Sequence, residues 1–309
     1  MSAEMRWPKV AVVGAGAVGG YFGGMLTRAG APVTMIGRRP FVEAVKKSGL
    51  RLDALSFQET VYPEASTEIA AAAGAEVVLF CVKTTDTAST ARSLAPYLMP
   101  EAIVVSLQNG VNNAEEIRAA AGFDALPAVV YVAAAMSPPG YVKHLGRGDL
   151  VVGPKNPRTE RIAILLQQAQ VPCRISPNIE GELWTKLLWN CALNAISGLG
   201  LATYGEIFAS ADARRIIEGL VAEVLAVARA KGIHLPGVED SKAALAGALK
   251  IAEQMSATRS STAQDMARGK RTEIDSLNGY VARLGEQLGV ATPMNHALYT
   301  LVKLQEPGF

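Results

Sequence analysis

The sequence predicts an α/β protein in which a doubly wound parallel sheet is followed by an all-α domain. Three observations support this prediction. Residues 10–19, Val-Ala-Val-Val-Gly-Ala-Gly-Ala-Val-Gly, run from an apolar strand-like stretch into the spacing G-x-G-x-x-G. Up to about residue 175, short β-branched runs alternate with helical stretches, which is typical of a parallel sheet with helices on both faces. Beyond about residue 178, Ala-rich and Leu-rich helical periodicity replaces the strand signals.

Apolar periodicity places the individual elements. The candidate strands of the first half are 10–13, 33–36, 76–82, 103–107 and 128–134. Its candidate helices are 17–30, 40–48, 87–97 and 113–121. Residues 141–153 alternate and carry glycines, which predicts a hairpin or mixed-sheet extension; a helix at 161–170 and a short strand at 171–175 follow. The helices predicted for the second half are 182–196, 206–231, 239–257 and 273–288. We therefore expect a doubly wound α/β domain over residues 1–177 and a helical domain over 178–309.

Composition narrows the function classes. A chain of 309 residues that is 50% hydrophobic is long enough for two domains with sizeable cores. The formal net charge is +2 and no block of five or six Lys and Arg occurs, so we expect no nucleic-acid partner. No run of 18 apolar residues predicts a membrane span, and residues 1–8 lack the apolar centre of a signal peptide. Three scattered cysteines suit a reducing cytosol and lack metal-ligand spacing, so a cytoplasmic protein without a metal is expected: Cys81, Cys173 and Cys191.

The glycine spacing carries the first functional prediction. Gly14, Gly16 and Gly19 lie directly between a strand-like run and a helix-like run. In that context the glycines provide a tight turn, a close backbone approach and close helix packing, and a pyrophosphate binds at the N-terminus of the helix. The residues that we assign to cofactor binding are Gly14, Ala15, Gly16, Ala17, Val18 and Gly19. An ordinary glycine-rich turn is the alternative.

The end of the second strand predicts which dinucleotide binds. NAD-binding units usually have an acidic residue there, which holds the ribose 2′-hydroxyl. This chain instead has Gly37-Arg38-Arg39, and guanidinium groups suit a dianionic 2′-phosphate. We therefore predict NADP(H), with Arg38 at the phosphate, and leave open whether Arg39 joins it. Two solvated surface arginines would produce the same sequence.

Two further polar residues follow predicted strands. Lys83 comes after Val-Val-Leu-Phe-Cys-Val, and Asn109 comes after Ile-Val-Val-Ser-Leu-Gln and before Gly110. Ligands of doubly wound sheets bind at the carboxyl ends of the strands, so both residues are candidates for ligand contact. Each one alone could also be a loop residue that caps the next helix.

A polar stripe marks the first helix of the second domain. Lys186, Asn190 and Asn194 are spaced i, i+4, i+8, and apolar residues occupy the other sides of this helix. One ammonium and two amides within an apolar helix are costly unless they face a polar ligand or a water-filled cleft. A lysine in that setting suits a general acid. The alternative is a lysine that reaches the surface beside two structural asparagines.

A second polar segment includes Ser261 and Glu273. These residues are twelve positions apart and would not share one face of an unbroken helix. A joint role therefore requires a break near Gly269, after which Thr272 could begin a new helix. Spacing alone favours a simpler interpretation of Glu273, as a first-turn acid that the helix dipole stabilises.

With these residues in view, the chain resembles the ketopantoate reductase (2-dehydropantoate 2-reductase) family over nearly its whole length. The resemblance rests on several motifs: Gly14-Ala-Gly-Ala-Val-Gly19, Cys81-Val-Lys83-Thr, Gln108-Asn109-Gly110, Trp184-x-Lys186-x3-Asn190-x3-Asn194, Ser261-x3-Asp265, Thr272-Glu273-Ile274-Asp275 and Asn278-Gly279. It implies a Rossmann domain and a helical domain like the C-terminal domain of 6-phosphogluconate dehydrogenases, with the active site between them. It also implies reduction of a 2-oxo acid to a 2-hydroxy acid by NADPH on the pantothenate route to coenzyme A.

The resemblance also implies residue roles. Lys186 would protonate the ketone oxygen as the hydride arrives, and Glu273 would orient the substrate and the lysine. Asn190 and Asn194 would hold the hydroxyl and carbonyl side of the substrate, and Ser261 would bind its carboxylate.

The remaining implied roles concern the cofactor. Lys83 and Asn109 would contact cofactor and substrate, and Arg38 would contact the 2′-phosphate.

Two other functions compete with ketopantoate reduction. One is an NADPH-dependent reductase of a different 2-oxo acid or of a related carbonyl compound or imine. The other is a non-catalytic NADP(H) sensor, which would have no need of a buried proton donor. The Leu and Ala rows of the second domain are compatible with a homodimer interface or with an internal core.

Overall fold

The computed structural model describes residues 6–307, which divide into two compact units. The first unit comprises the described residues up to Gln108 together with Asn112–Ile179. The second comprises Asn109–Val111 together with the described residues from Glu180 onward. Residues 1–5 of the segment searched for a signal peptide lie outside the described residues.

The first unit contains one mixed sheet. Its strands are β1 (Val10–Val13), β2 (Val33–Ile36), β3 (Leu50–Asp53), β4 (Gln58–Val61), β5 (Glu64–Ser66), β6 (Val77–Phe80), β7 (Ile103–Ser106), β8 (Ala125–Met136), β9 (Tyr141–Val152) and β10 (Cys173–Ile175). Its helices are α1 (Ala17–Arg28), α2 (Arg39–Ser48), α3 (Thr87–Leu94), α4 (Asn113–Ala121) and α5 (Pro157–Gln168). Six strands run parallel in the order β5-β2-β1-β6-β7-β8. This is the 3-2-1-4-5-6 order of a dinucleotide-binding sheet, so the predicted Rossmann fold is confirmed.

The sheet continues beyond this parallel core. β8 pairs antiparallel with β9, and β9 pairs in parallel with both β3 and β10. The mixed-sheet extension predicted over 141–153 is therefore confirmed. The sequence-based prediction missed β3, β4 and β5, because these strands have only three or four residues and expose many of their side chains.

The central strands of this sheet are buried on both faces. Val10 and Val12 of β1 pack into one hydrophobic core, and Ala11 and Val13 pack into another. A strand that is covered on both faces has an uninterrupted apolar sequence. This explains why β1 and β2 begin and end where the sequence predicts.

The glycine turn after β1 depends on backbone geometry. The N–H groups of Gly14 and Ala15 each donate to the carbonyl of Ile36 at 3.0 Å, so the turn is tied to the end of β2. Gly14 has φ +99°, and a Cβ at this position would lie 2.6 Å from the backbone nitrogen of Val82. Only glycine satisfies both conditions without strain.

The second unit is helical. Its helices are α6 (Ile179–Gly200), α7 (Tyr204–Ala209), α8 (Ala211–Ala230), α9 (Ser241–Gln254), α10 (Ser261–Ala267), α11 (Asn278–Leu288) and α12 (Pro293–Gln305). No strand occurs among its described residues, which confirms the predicted all-α architecture. Within residues 6–307, no helix is long and apolar enough to cross a membrane.

Two predicted helical segments differ from the structure. The segment 206–231 is not one helix, because Ser210 is extended and accepts a hydrogen bond from the N–H of Ala213, which starts α8. The segment 273–288 becomes helical only at Asn278, after a 3-10 turn over Ile274–Ser276. Thr272 therefore does not begin an α-helix. The short α10 and the C-terminal α12 were not predicted.

We expect Gly14→Ala to destabilise the protein by about 2–4 kcal/mol, because the new methyl group meets backbone atoms and the positive φ becomes strained. Thermal and denaturant unfolding measure this loss. Gly146→Ala is the control, because a Cβ there meets no described atom within 4 Å. Equal stability of the two variants would contradict the steric argument.

Candidate active site

The start of α1 has the features of a phosphate cradle. Gly16 occupies the N-cap position in an extended conformation, and no side chain of the described residues caps it. The first turn of α1 contains no acidic residue. A Cβ at Gly16 would meet no described heavy atom within 4 Å. Protein packing therefore does not require glycine here, and the open space at a positive helix end fits a dinucleotide pyrophosphate.

Two arginines follow the strand that anchors this cradle. Arg38 is exposed and extended at the N-cap of α2, and Arg39 is the exposed first residue of that helix. They come directly after β2, whose last residue Ile36 accepts the hydrogen bonds of the glycine turn. Two guanidinium groups therefore follow closely in the chain after the strand end that holds the glycine turn.

Lys83 lies at the end of the neighbouring strand β6. It is exposed, and its carbonyl accepts a hydrogen bond from the N–H of Asp86 at 2.9 Å, which closes a 3-10 turn. The buried Gln108 braces this segment on both sides of the lysine. Its amide nitrogen donates to the carbonyl of Val82 at 3.2 Å and to the hydroxyl of Thr87 at 2.8 Å. No local sequence pattern indicates this role of Gln108, because these contacts join distant parts of the chain.

The second unit brings Asn109, Lys186 and Glu273 together. The ammonium of Lys186 donates to the amide oxygen of Asn109 at 3.0 Å. The amide nitrogen of Asn109 donates to a carboxylate oxygen of Glu273 at 3.0 Å. Glu273 is only 8% exposed, so water screens these charges weakly. One amide therefore connects a cation and an anion that lie far apart in the sequence.

The two charges determine the orientation of the bridging amide. A carboxylate only accepts hydrogen bonds and an ammonium only donates them. The NH₂ end of Asn109 must therefore face Glu273, and its oxygen must face Lys186. The reversed amide would place oxygen against carboxylate and NH₂ against ammonium. The arrangement can hold a protonated lysine in one place, which is what a general acid requires.

The polar stripe of α6 lies along a helix that is otherwise deeply packed. Lys186 and Asn190 are half-buried, and Asn194 is only 4% exposed. The hydroxyl of Tyr204 donates to the amide oxygen of Asn194 at 3.0 Å. Burial raises the pKa of Tyr204, so the hydroxyl keeps its proton and remains a donor. The bond from Tyr204 thus fixes the orientation of the Asn194 amide, whose nitrogen can donate a hydrogen bond to a ligand.

Ser261 is the exposed first residue of α10, and the neighbouring Ser260 is the N-cap. The hydroxyl of Ser260 donates to the carbonyl of Asn194 at 3.0 Å, and its N–H donates to the hydroxyl of Ser197 at 3.1 Å. These bonds attach the start of α10 to the end of α6 that carries Asn194. The structure thus brings Ser261 close to one end of the polar stripe.

Glu273 does not occupy the first turn of an α-helix. α10 ends at Ala267, Gly269 has φ +60°, and Glu273 precedes a three-residue 3-10 turn. The break that a joint role with Ser261 requires near Gly269 is present. The side chain of Glu273 accepts its hydrogen bond from Asn109, so the helix-dipole interpretation does not describe its contact.

Sequence models of known families match both halves of the chain. The model described as ketopantoate reductase PanE/ApbA matches residues 10–157, and the model of its C-terminal part matches residues 178–306. The chain belongs to the ketopantoate reductase family. This confirms the resemblance and identifies the protein as an oxidoreductase of a family of NAD(P)-dependent reductases.

Individual relatives in the ketopantoate reductase family agree with this assignment. The 2-dehydropantoate 2-reductase of Archaeoglobus fulgidus is 31% identical, over 98% of this chain and 100% of the relative. A PanE/ApbA family ketopantoate reductase from Ralstonia eutropha has a similar crystal structure, with a TM-score of 0.90 and 46% identity over 96% of this chain and 98% of that one. A D-mandelate dehydrogenase solved with NADH and anilino(oxo)acetate has a TM-score of 0.89 over 96% of this chain and 97% of its own. At 23% identity, that likeness concerns the fold alone.

We expect Gly16→Ala to weaken binding of the nicotinamide cofactor by about tenfold or more, because the methyl group occupies the space open to the pyrophosphate. The unfolding temperature should change by no more than ~2 °C, because no described atom opposes the new group. Fluorescence titration with NADPH measures the affinity, with Gly146→Ala as the control. Unchanged affinity would exclude the cradle as the pyrophosphate site.

Proposed function

We propose that the protein reduces 2-dehydropantoate to pantoate with NADPH and that Lys186 is the general acid. The bond of Lys186 to Asn109, which Glu273 orients in turn, is the observation that carries this proposal. The family and the named relatives support the substrate. The cradle at Gly16 and the arginines after β2 support the cofactor.

In this mechanism the bound nicotinamide supplies the hydride. As the carbonyl carbon is reduced, negative charge develops on the ketone oxygen. The ammonium of Lys186 stabilises that charge and then donates its proton to the oxygen. An ammonium has three donors, so its bond to Asn109 is compatible with a second bond to the substrate.

We assign Glu273 and Asn109 to the positioning of the lysine. Glu273 fixes the amide of Asn109, and the amide oxygen holds the ammonium. Asn190, Asn194 and Ser261 are our candidates for the substrate hydroxyl, carbonyl and carboxylate. They supply amide and hydroxyl groups, which suit an anionic 2-oxo acid because each can donate a hydrogen bond to its oxygens.

NADPH is the proposed cofactor because no acidic residue follows β2, and Arg38 stands there instead. A guanidinium can bind the 2′-phosphate of NADPH with two parallel hydrogen bonds.

Loss of NADPH absorbance with a panel of carbonyl compounds tests the reaction. The panel contains 2-dehydropantoate, other 2-oxo acids of different bulk, a 3-oxo acid and an imine. The highest kcat/KM with 2-dehydropantoate would support the proposal. A higher value with another compound would reassign the substrate, and tight NADPH binding without any turnover would favour a sensor.

We expect Lys186→Ala to lower kcat by about a thousandfold, which is within the range for loss of a general acid. The affinity for NADPH should stay within about twofold, since Lys186 is not among the cofactor groups that we assign. Stopped-flow reduction and NADPH titration measure these effects. Lys250→Ala removes an exposed lysine of the second unit and is the matched control. Turnover of Lys186→Ala at the wild-type rate would refute the assigned acid.

We expect Arg38→Ala to weaken NADPH by about tenfold or more and NADH hardly at all, because only NADPH carries the 2′-phosphate. Binding titrations with both dinucleotides measure this difference. Arg92→Ala, which removes an exposed arginine of α3, is the control. An equal loss of affinity for the two dinucleotides would show that Arg38 does not bind the 2′-phosphate.

A further inference from the structure

We propose that Glu306 is a positioning residue for Glu273, and this inference rests on the proposed reductase function. Glu306 directly follows α12 and is 7% exposed. One of its carboxylate oxygens accepts two hydrogen bonds from Thr272, from the N–H at 2.8 Å and from the hydroxyl at 2.6 Å. Thr272 is the residue immediately before Glu273. The carboxylate thus fixes the backbone at the point from which the side chain of Glu273 projects.

Lys303 holds the other oxygen of the same carboxylate. Its ammonium donates to Glu306 at 2.7 Å and to a carboxylate oxygen of Asp275 at 2.9 Å. Burial alone would lower the pKa of Lys303, but the hydrogen bonds to Glu306 and Asp275 outweigh burial and raise it. The lysine therefore stays charged, and it links Glu306 to a second point on the segment that carries Glu273.

Further contacts hold Asp275 itself. The hydroxyl of Tyr299 donates to its other carboxylate oxygen at 3.0 Å, and a guanidinium nitrogen of Arg283 donates to its backbone carbonyl at 2.6 Å. The residues on both sides of Glu273 are therefore held by groups from α11, from α12 and from the residue that follows α12.

The segment needs this support because it has little regular structure of its own. It lies between Gly269, with φ +60°, and α11, and it includes only a three-residue 3-10 turn. Thr272 is 1% exposed, so its N–H and hydroxyl have no access to water in place of Glu306. A buried donor without a partner destabilises the segment that carries it. Without the carboxylate of Glu306, we expect the segment to shift until Thr272 finds other partners, and Glu273 would then shift away from Asn109.

A carboxylate is required here, and an amide cannot replace it fully. One oxygen of Glu306 accepts from Thr272 and the other accepts from Lys303. Glutamine has a single accepting oxygen, so its NH₂ group would face either the donors of Thr272 or the ammonium. Glu306→Gln keeps the size of the side chain and disturbs either the two hydrogen bonds with Thr272 or the one with Lys303.

The competing interpretation is that Glu306 only stabilises the end of α12. A purely structural residue would affect turnover to the same extent whether or not Glu273 is present. A positioning residue acts through Glu273, so its effect should disappear when Glu273 is absent. A double-mutant cycle separates the two interpretations.

The cycle uses the full chain as wild type, Glu306→Gln, Glu273→Gln and the double variant, with kcat and both KM values measured for NADPH and 2-dehydropantoate. We expect Glu306→Gln to lower kcat about tenfold in the presence of Glu273 and less than about twofold in its absence, with the KM for NADPH unchanged. Glu286→Gln, at an exposed position of α11, is the control. The same fold loss in both backgrounds, or no loss in either, would overturn the proposal.

Thr272 provides a second test that leaves Glu306 intact. Thr272→Ser keeps both donors to Glu306, and Thr272→Val removes the hydroxyl. We expect the serine variant to retain the kcat of the wild type. The valine variant should have a lower kcat, as Glu306→Gln does. Thermal unfolding of each variant shows whether it is folded. Equal kcat for the two Thr272 variants would contradict the proposal even if Glu306→Gln failed to fold.

Hydrogen exchange separates failure of this inference from failure of the proposed reaction. If the wild type reduces no compound of the panel, the proposed reaction fails, but the anchoring of residues 272–276 can still be measured. The anchoring would be supported if Glu306→Gln exchanged its amide hydrogens faster than the wild type at these residues alone. Glu286→Gln should exchange them at the wild-type rate. Unchanged exchange at 272–276 would overturn it, whatever the turnover results.

Discussion

The site in the second unit depends on one amide that links a cation to an anion. The amide oxygen of Asn109 accepts from the ammonium of Lys186, and the amide nitrogen donates to the carboxylate of Glu273. Each end of the amide has a single role here, since an ammonium only donates hydrogen bonds and a carboxylate only accepts them. Asn109 therefore transmits the position of Glu273 to Lys186 as an orientation. A fixed ammonium suits the general acid that we propose, because a proton donor must be held near the substrate oxygen.

The surrounding fold supplies the rigidity that such a chain of hydrogen bonds requires. α6 buries Trp184, Leu187 and Leu188 almost completely, so the helix that carries Lys186 cannot rotate without disrupting the core of the second unit. Glu273 lies on an irregular segment instead. Hydrogen bonds hold this segment, and Ile274 packs it against Ala195 and Val302. The lysine is thus fixed by the packing of a long helix, and the glutamate by hydrogen bonds together with one buried side chain beside it.

This difference explains how much the sequence could predict. β1, β2 and the stripe on α6 were predictable, because continuous apolar runs and i, i+4 spacing are local properties. The bond between Asn109 and Glu273 joins residues far apart in the chain, and no local pattern specifies it. Thr272 is the clearest example. The interruption at Gly269 suggests that a helix begins at Thr272, but Glu306, 34 positions away, accepts the hydrogen bonds of its N–H and its hydroxyl.

The glycines of the G-x-G-x-x-G turn differ in whether the fold itself explains them. Gly14 is explained by the protein itself, since its positive φ and the backbone atoms near Val82 exclude any side chain. Gly16 has no such explanation, because its φ of −84° suits any residue and no described atom within 4 Å would meet a Cβ. Glycine costs more backbone entropy on folding than any other residue. A glycine that relieves no clash among the described residues leaves open space at the N-terminus of α1, and that space is where the pyrophosphate of our proposed cofactor would bind.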